Sequence, residues 1–142
     1  SMSSTATVEA TLNRVNGLTT MLTNGRHRWV ADVPKTLGSL DTAPDPHDLL
    51  DSALAACTVL TLELYLKRKP DWQVARIQCR VERVSEARGD DGRVDYQLKR
   101  IVKVEGALTS DQEGRLIEIA NKCPIHRLLE GRTHIETALE PA

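Results

Sequence analysis

Two cysteines stand where this chain could support thiol chemistry. Cys57 ends the apolar, alanine-rich run Leu49-Leu50-Asp51-Ser52-Ala53-Leu54-Ala55-Ala56-Cys57, and Cys123 precedes a helix-breaking proline in Asn121-Lys122-Cys123-Pro124-Ile125-His126. In a core, cysteine is a small hydrophobe that needs no function. A thiol beside a freed helix end is different, because the unpaired backbone N–H groups there favour its thiolate. Pro124 suits the first turn of a short helix, so Cys123 falls at or near an N-cap, where a lowered pKa is expected. The two segments together point to redox chemistry at a cysteine pair, with simple packing as the competing reading of Cys57.

Other side chains are weighed against that pair. Cys79 sits between Ile77 and Val81 on the apolar face of a strand pattern and reads as core. Arg14 continues the face of Ala6, Val8, Ala10 and Leu12, so an inward guanidinium is expected, in need of a carboxylate, a thiolate or a bound anion. It is the first choice for the cation beside Cys57, with Arg28 the second. His47 and Asp48 could assist a thiol or simply open a helix. Cys123 and His126 have C-x-x-H spacing, but no second ligand pair completes a zinc site, so no metal is expected. The same two residues could form a nucleophile–base pair for acyl transfer, although His126 reads more simply as a helix-surface residue.

The elements that must hold these residues follow from the patterning. Residues 5–15 alternate as a half-buried strand, Asn16-Gly17 and Asn24-Gly25 are hairpin signals, and residues 18–23 and 26–33 complete a three-stranded meander. Asp45-Pro46-His47-Asp48 opens a helix that runs to Lys69, before Pro70. Strands at 74–84 and 94–104 flank a Gly89-Asp90-Asp91-Gly92 turn, Ser110-Asp111-Gln112-Glu113 starts a second helix, and residues 125–130 form a short third. A last strand is expected at 133–139. The class is α+β in the order βββ-α-ββ-α-β, as a single domain over residues 1–142. The first helix is apolar on most sides, too much for one chain of short strands to cover. Ala53, Ala55 and Ala56 would let a second copy approach, so an obligate homodimer is expected.

Composition excludes several classes. The chain has 142 residues, with 19 basic and 20 acidic side chains and no block of either sign, which removes the electrostatic case for nucleic acid or an anionic membrane. Two Trp, two Tyr and no Phe offer no stacking platform for single strands. No unbroken run of about 18 apolar residues occurs, so no membrane span is expected. No basic segment leads into an apolar stretch at the start. Three cysteines without tight spacing fit a reducing cytoplasm better than a secreted scaffold.

Three segments together resemble the OsmC/organic hydroperoxide resistance family. They are the loop Leu37-Gly38-Ser39-Leu40-Asp41-Thr42-Ala43-Pro44, the helix from Asp45-Pro46-His47-Asp48-Leu49-Leu50 to Ala55-Ala56-Cys57-Thr58, and Asn121-Lys122-Cys123-Pro124-Ile125-His126. The resemblance implies an intertwined homodimer with two long central helices and active sites at the subunit interface. It implies a cysteine-based peroxidase for organic or lipid hydroperoxides, with Cys57 as the peroxidatic thiol, Cys123 as the resolving thiol and an external dithiol as reductant. No cofactor is implied. The family's glutamate after the helix-opening proline is replaced here by His47, and Arg14 falls where one branch keeps its arginine. An apolar pocket of Leu49, Leu50 and Leu54 would favour organic hydroperoxides. The rival readings are a non-catalytic dimeric module for a small ligand and the Cys–His acyl-transfer enzyme.

Overall fold

A computed structural model of the chain describes residues 6–15 and 17–142. They fall into two compact units, one running up to Asp51 and the other Ser52–Ala142. The first is the expected meander, β1 (Glu9–Thr11), β2 (Thr20–Thr23) and β3 (Arg28–Ala31), antiparallel in that order. Its strands are shorter than the alternation suggests. Pairing between β1 and β2 stops at Thr11 opposite Met21, short of the Asn16-Gly17 turn, of which Asn16 lies outside the described residues. The second turn is as expected: the Asn24 side chain accepts the N–H groups of Arg26 and His27 at 3.0 and 2.7 Å, and Gly25 takes φ +93°.

The loop after β3 is organised by one buried carboxylate. Asp32 is 1% exposed and accepts from the Ser39 hydroxyl, the Thr42 N–H at 3.0 Å, the Thr42 hydroxyl at 2.7 Å and the Val33 N–H at 2.8 Å. The Ser39 bond, followed by those from Thr42, holds the Asp32 carboxyl well below the usual carboxylate range. A depressed folded-state pKa stabilises the fold fully above the unfolded carboxylate value of about 4, and that stability is lost as pH falls through the folded-state value. Asp32→Asn turns an amide N–H toward the donors of Thr42. It should lower the thermal midpoint at neutral pH and flatten its dependence on pH below about 4. Thermal melts of both proteins across the acid range check this, and equal slopes would refute it.

Helix α1 (Pro46–Leu66) opens on the predicted cap: the Asp45 carboxylate accepts the Asp48 N–H at 2.9 Å and the Asp48 carboxylate accepts the Asp45 N–H at 3.3 Å. It ends at Leu66, a turn before the expected Lys69. Its mean hydropathy reaches 1.6 over an 18-residue window that is 28% buried, so by length and composition it could cross a bilayer. The expectation that no segment is apolar enough must therefore be corrected, because isolated Asp and Glu residues break an unbroken run without lowering the average much. Core helices pass the same test.

In the second unit, β4 (Gln73–Arg88) and β5 (Val94–Ala107) form a long antiparallel hairpin, each strand extending past its predicted end. A Cβ at Gly106 would fall on the Gln73 carbonyl, so the close approach of the two strands there needs glycine. Helix α2 (Ser110–Ala120) is capped by Thr109, one residue earlier than predicted, in a reciprocal capping box with Gln112. Leu62, Tyr65 and Leu66 of α1 meet Leu116, Ile119 and Ala120 of α2, with Val74, Ile77, Val102 and Val104 of the hairpin packed against them. Leu62 has no exposed surface, and such burial contributes about 1.5–3 kcal/mol per side chain. Helix α3 (Pro124–Leu129) follows.

The last strand is not formed. Residues 133–139 have no strand pairing, and Ile135 and Leu139 are 86% and 96% exposed. The alternation that predicted a strand records which faces would be buried, but a strand also needs a neighbouring edge for its N–H and C=O groups. The observed order is βββ-α-ββ-α-α, within the α+β class.

Candidate active site

Cys57 and Cys123 come together. Cys57 is half-buried on α1, and Cys123, fully buried, is the N-cap of α3. The Cys57 and Cys123 thiols lie close enough for each to shift the other's titration, and Thr61 Oγ1 lies 3.9 Å from Cys57 Sγ. The brevity of α3 follows from its sequence: Pro124 at its start cannot donate an N–H, and Gly131 follows its end. That break leaves the N–H groups of Ile125 and His126 free of helix partners. His126 N–H points at Cys123 Sγ at 3.3 Å, and the Ile125 N–H favours the Cys57 thiolate.

The two thiols are driven apart electrostatically. Burial works against the Cys57 thiolate, but the Cys123 thiol, the Ile125 N–H, Thr61 and the Arg100 charge together outweigh it, so its pKa falls below the ordinary thiol value. Burial and the Cys57 neighbour push the Cys123 thiol up, past the lowering effect of the α3 amides. The expected activation of Cys123 by its N-cap position is thus overturned. Position at a helix end is worth less than full burial beside a second sulfur, and the anion-stabilising amides serve Cys57 as well. Cys79 is half-buried on β4 beside the Thr58 hydroxyl, and burial raises its pKa.

The cation whose charge lowers the Cys57 pKa is Arg100, on β5. Its Nη1 donates to Thr58 Oγ1 at 3.1 Å, and its Nη2 donates to Asn121 Oδ1 at 2.8 Å and lies 2.9 Å from His126 Nδ1. His126 Nε2 is 2.7 Å from Glu130 Oε1. His126 is therefore no plain surface residue, since both ring nitrogens are engaged and its side chain is 23% exposed. Arg14 needs a correction. β1 ends at Thr11, and Arg14 lies exposed in the following turn, so the register that would turn its guanidinium inward does not exist. Arg28 is exposed on β3, and Asp48 serves the α1 cap. Arg100, by contrast, continues the half-buried face of Tyr96, Leu98, Val102 and Val104 along β5, a pattern already present in the sequence. Glu130, one helical turn beyond His126, was equally readable. An open cleft of about 790 Å³ adjoins the cluster, walled by Arg100, His126, Asn121 and Tyr96 and by the apolar Leu54, Leu98 and Ile117.

The sequence profile of OsmC-like proteins matches residues 38–138, which include both cysteines and the whole Arg100 cluster. The chain belongs to the OsmC-like family. No match was found among curated proteins. Solved OsmC-like folds agree with this one. An OsmC-like protein of Mycoplasma pneumoniae superposes with a TM-score of 0.74 at 20% identity, over 92% of this chain and 90% of its own. The organic hydroperoxide resistance protein OhrB of Bacillus subtilis gives 0.60 at 22% identity, over 89% and 91%. One from Elizabethkingia anophelis gives 0.66 at 21%, over 92% of both chains. At these identities the likeness speaks for the OsmC-like fold alone.

Proposed function

We propose that this OsmC-like protein is a thiol peroxidase for organic hydroperoxides, with Cys57 the peroxidatic and Cys123 the resolving cysteine. The observation that carries the reading is the proximity of two thiols that act on each other electrostatically and shift in opposite directions, Cys57 toward thiolate and Cys123 toward thiol. The Cys57 thiolate attacks the terminal oxygen of the hydroperoxide and cleaves the O–O bond. A sulfenic acid forms on Cys57, and the alkoxide takes a proton and leaves as the alcohol. The Cys123 sulfur then attacks the sulfenic sulfur, its proton leaves with the hydroxyl as water, and a Cys57–Cys123 disulfide results. An external dithiol reduces it, as a reducing cytoplasm would supply. The partly apolar cleft beside the cluster supports an organic rather than an inorganic peroxide.

The same reading includes a homodimer. Ser52, Ala56, Leu60 and Leu64 form an exposed row at helical spacing along α1, with Leu60 and Leu64 61% and 65% exposed. The acyl-transfer alternative lacks its base, because the His126 ring faces Arg100 and Glu130 rather than the Cys123 sulfur. The ligand-binding alternative is separated by counting free thiols before and after one equivalent of an alkyl hydroperoxide. Loss of two thiols supports the peroxidase, and retention of all of them refutes it. Cys79→Ser should leave turnover intact, because burial keeps that thiol protonated, while lowering the melting midpoint by roughly 2–4 °C. A steady-state assay that stops with this variant would bring Cys79 into the cycle.

A further inference from the structure

Arg100 is the point where the segments carrying both cysteines meet. On α1 it binds the hydroxyl of Thr58, the residue after Cys57. At the α2–α3 junction it binds Asn121 and His126, which flank Cys123, and the His126 N–H itself reaches the Cys123 sulfur. Thr58 is fully buried and donates its own proton to the Leu54 carbonyl at 2.7 Å, so its oxygen is oriented to accept from Arg100. The chemistry of the donors also settles the His126 tautomer. A guanidinium has donors only, so Nδ1 must accept, and the ring proton sits on Nε2, where it donates to Glu130.

We infer that His126, oriented by Glu130, positions Arg100 against Thr58 and so fixes a positive charge beside Cys57, making Arg100, His126 and Glu130 a positioning relay for the reactive thiol. The inference rests on the peroxidase reading only in naming Cys57 as the thiol that reacts. Three groups bond Arg100 from three elements, Thr58 on α1, Asn121 at the end of α2 and His126 on α3, and Cys79 on β4 also feels its charge. Cys57 itself faces Cys123, Thr61 and the Ile125 N–H. Among the described residues no carboxylate forms an ion pair with Arg100 directly. Its charge is therefore held by neutral acceptors and stays available to an anion. The lowered pKa of Cys57, to which Arg100 contributes, agrees with this. An imidazole whose far nitrogen donates to a carboxylate is a stronger acceptor at its near nitrogen, which gives Glu130 its part.

The test follows the pH dependence of Cys57 alkylation by iodoacetamide, read on the Cys57 peptide by mass spectrometry, in the full chain. Arg100→Gln and His126→Phe should raise the midpoint, so that the rate at neutral pH falls about three- to tenfold. The rate at high pH, which reports access alone, should stay. His126→Asn returns an acceptor oxygen near the place of Nδ1 and should restore most of the midpoint, and Glu130→Ala should raise it less than His126→Phe. Unchanged midpoints in folded Arg100→Gln and His126→Phe overturn the inference, as does a raised midpoint in Arg14→Ala alone. Changes confined to the high-pH rate also overturn it, since a merely structural role would act there. If His126→Phe does not fold, Arg100→Gln against Arg100→Lys decides, because the lysine keeps the charge and should recover part of the shift. Raised midpoints in a protein that consumes no hydroperoxide uphold the relay and sink the peroxidase reading, so the two failures are separable.

Discussion

Cys57→Ser should reduce hydroperoxide consumption to the uncatalysed level, a loss of at least roughly 10³-fold, because no other sulfur here is placed to react as a thiolate. Burial raises the pKa of both remaining thiols, and a protonated thiol is a poor nucleophile. Cys123→Ser should behave differently. Serine is a good N-cap and can accept the His126 N–H as sulfur does, so α3 should persist. One equivalent of hydroperoxide should then be consumed per chain, leaving Cys57 as a sulfenic acid that excess peroxide carries to the sulfinic state. Stopped-flow consumption and intact mass distinguish the cases: an added 16 Da per chain is expected for Cys123→Ser, by the mass of one oxygen atom, about 16. Full activity in Cys57→Ser would end the peroxidase assignment.

The second large effect concerns assembly. Ala56→Trp and Leu60→Asp both change residues that are exposed in the single chain. At a free surface such substitutions cost within about ±0.5 kcal/mol, and Leu60→Asp would remove an apolar side chain from water. At a helix–helix contact between copies the same changes crowd it by about 1–3 kcal/mol or bury an unpaired carboxylate. The homodimer reading therefore expects both variants to be monomeric, unfolded or insoluble, with sedimentation and circular dichroism as the measurements. Two well-folded variants with the oligomeric state of the wild type would remove α1 from any interface.

Much of the chain is local in its logic, and those parts were legible without coordinates. The Asp45/Asp48 cap, the Asn24-Gly25 turn and the proline break at Cys123-Pro124 depend on residues within a few positions of one another, so the sequence alone determines them. The pairing of Cys57 with Cys123 became readable once both segments were matched to one family. Strand ends are another matter. Alternation continues past Thr11 and through residues 133–139, but pairing depends on whether a second edge is present, and the residues of a strand cannot state that. Arg14 and Arg100 make the same point from opposite sides. Each continues an apolar face in the sequence, and only Arg100 lies in a strand long enough to carry it inward, onto Thr58, Asn121 and His126 from three separate elements. The sign of the Cys123 shift was likewise a tertiary matter. Its N-cap position is written in Pro124, whereas its full burial against a second sulfur is set by how α1 and the α2–α3 junction pack.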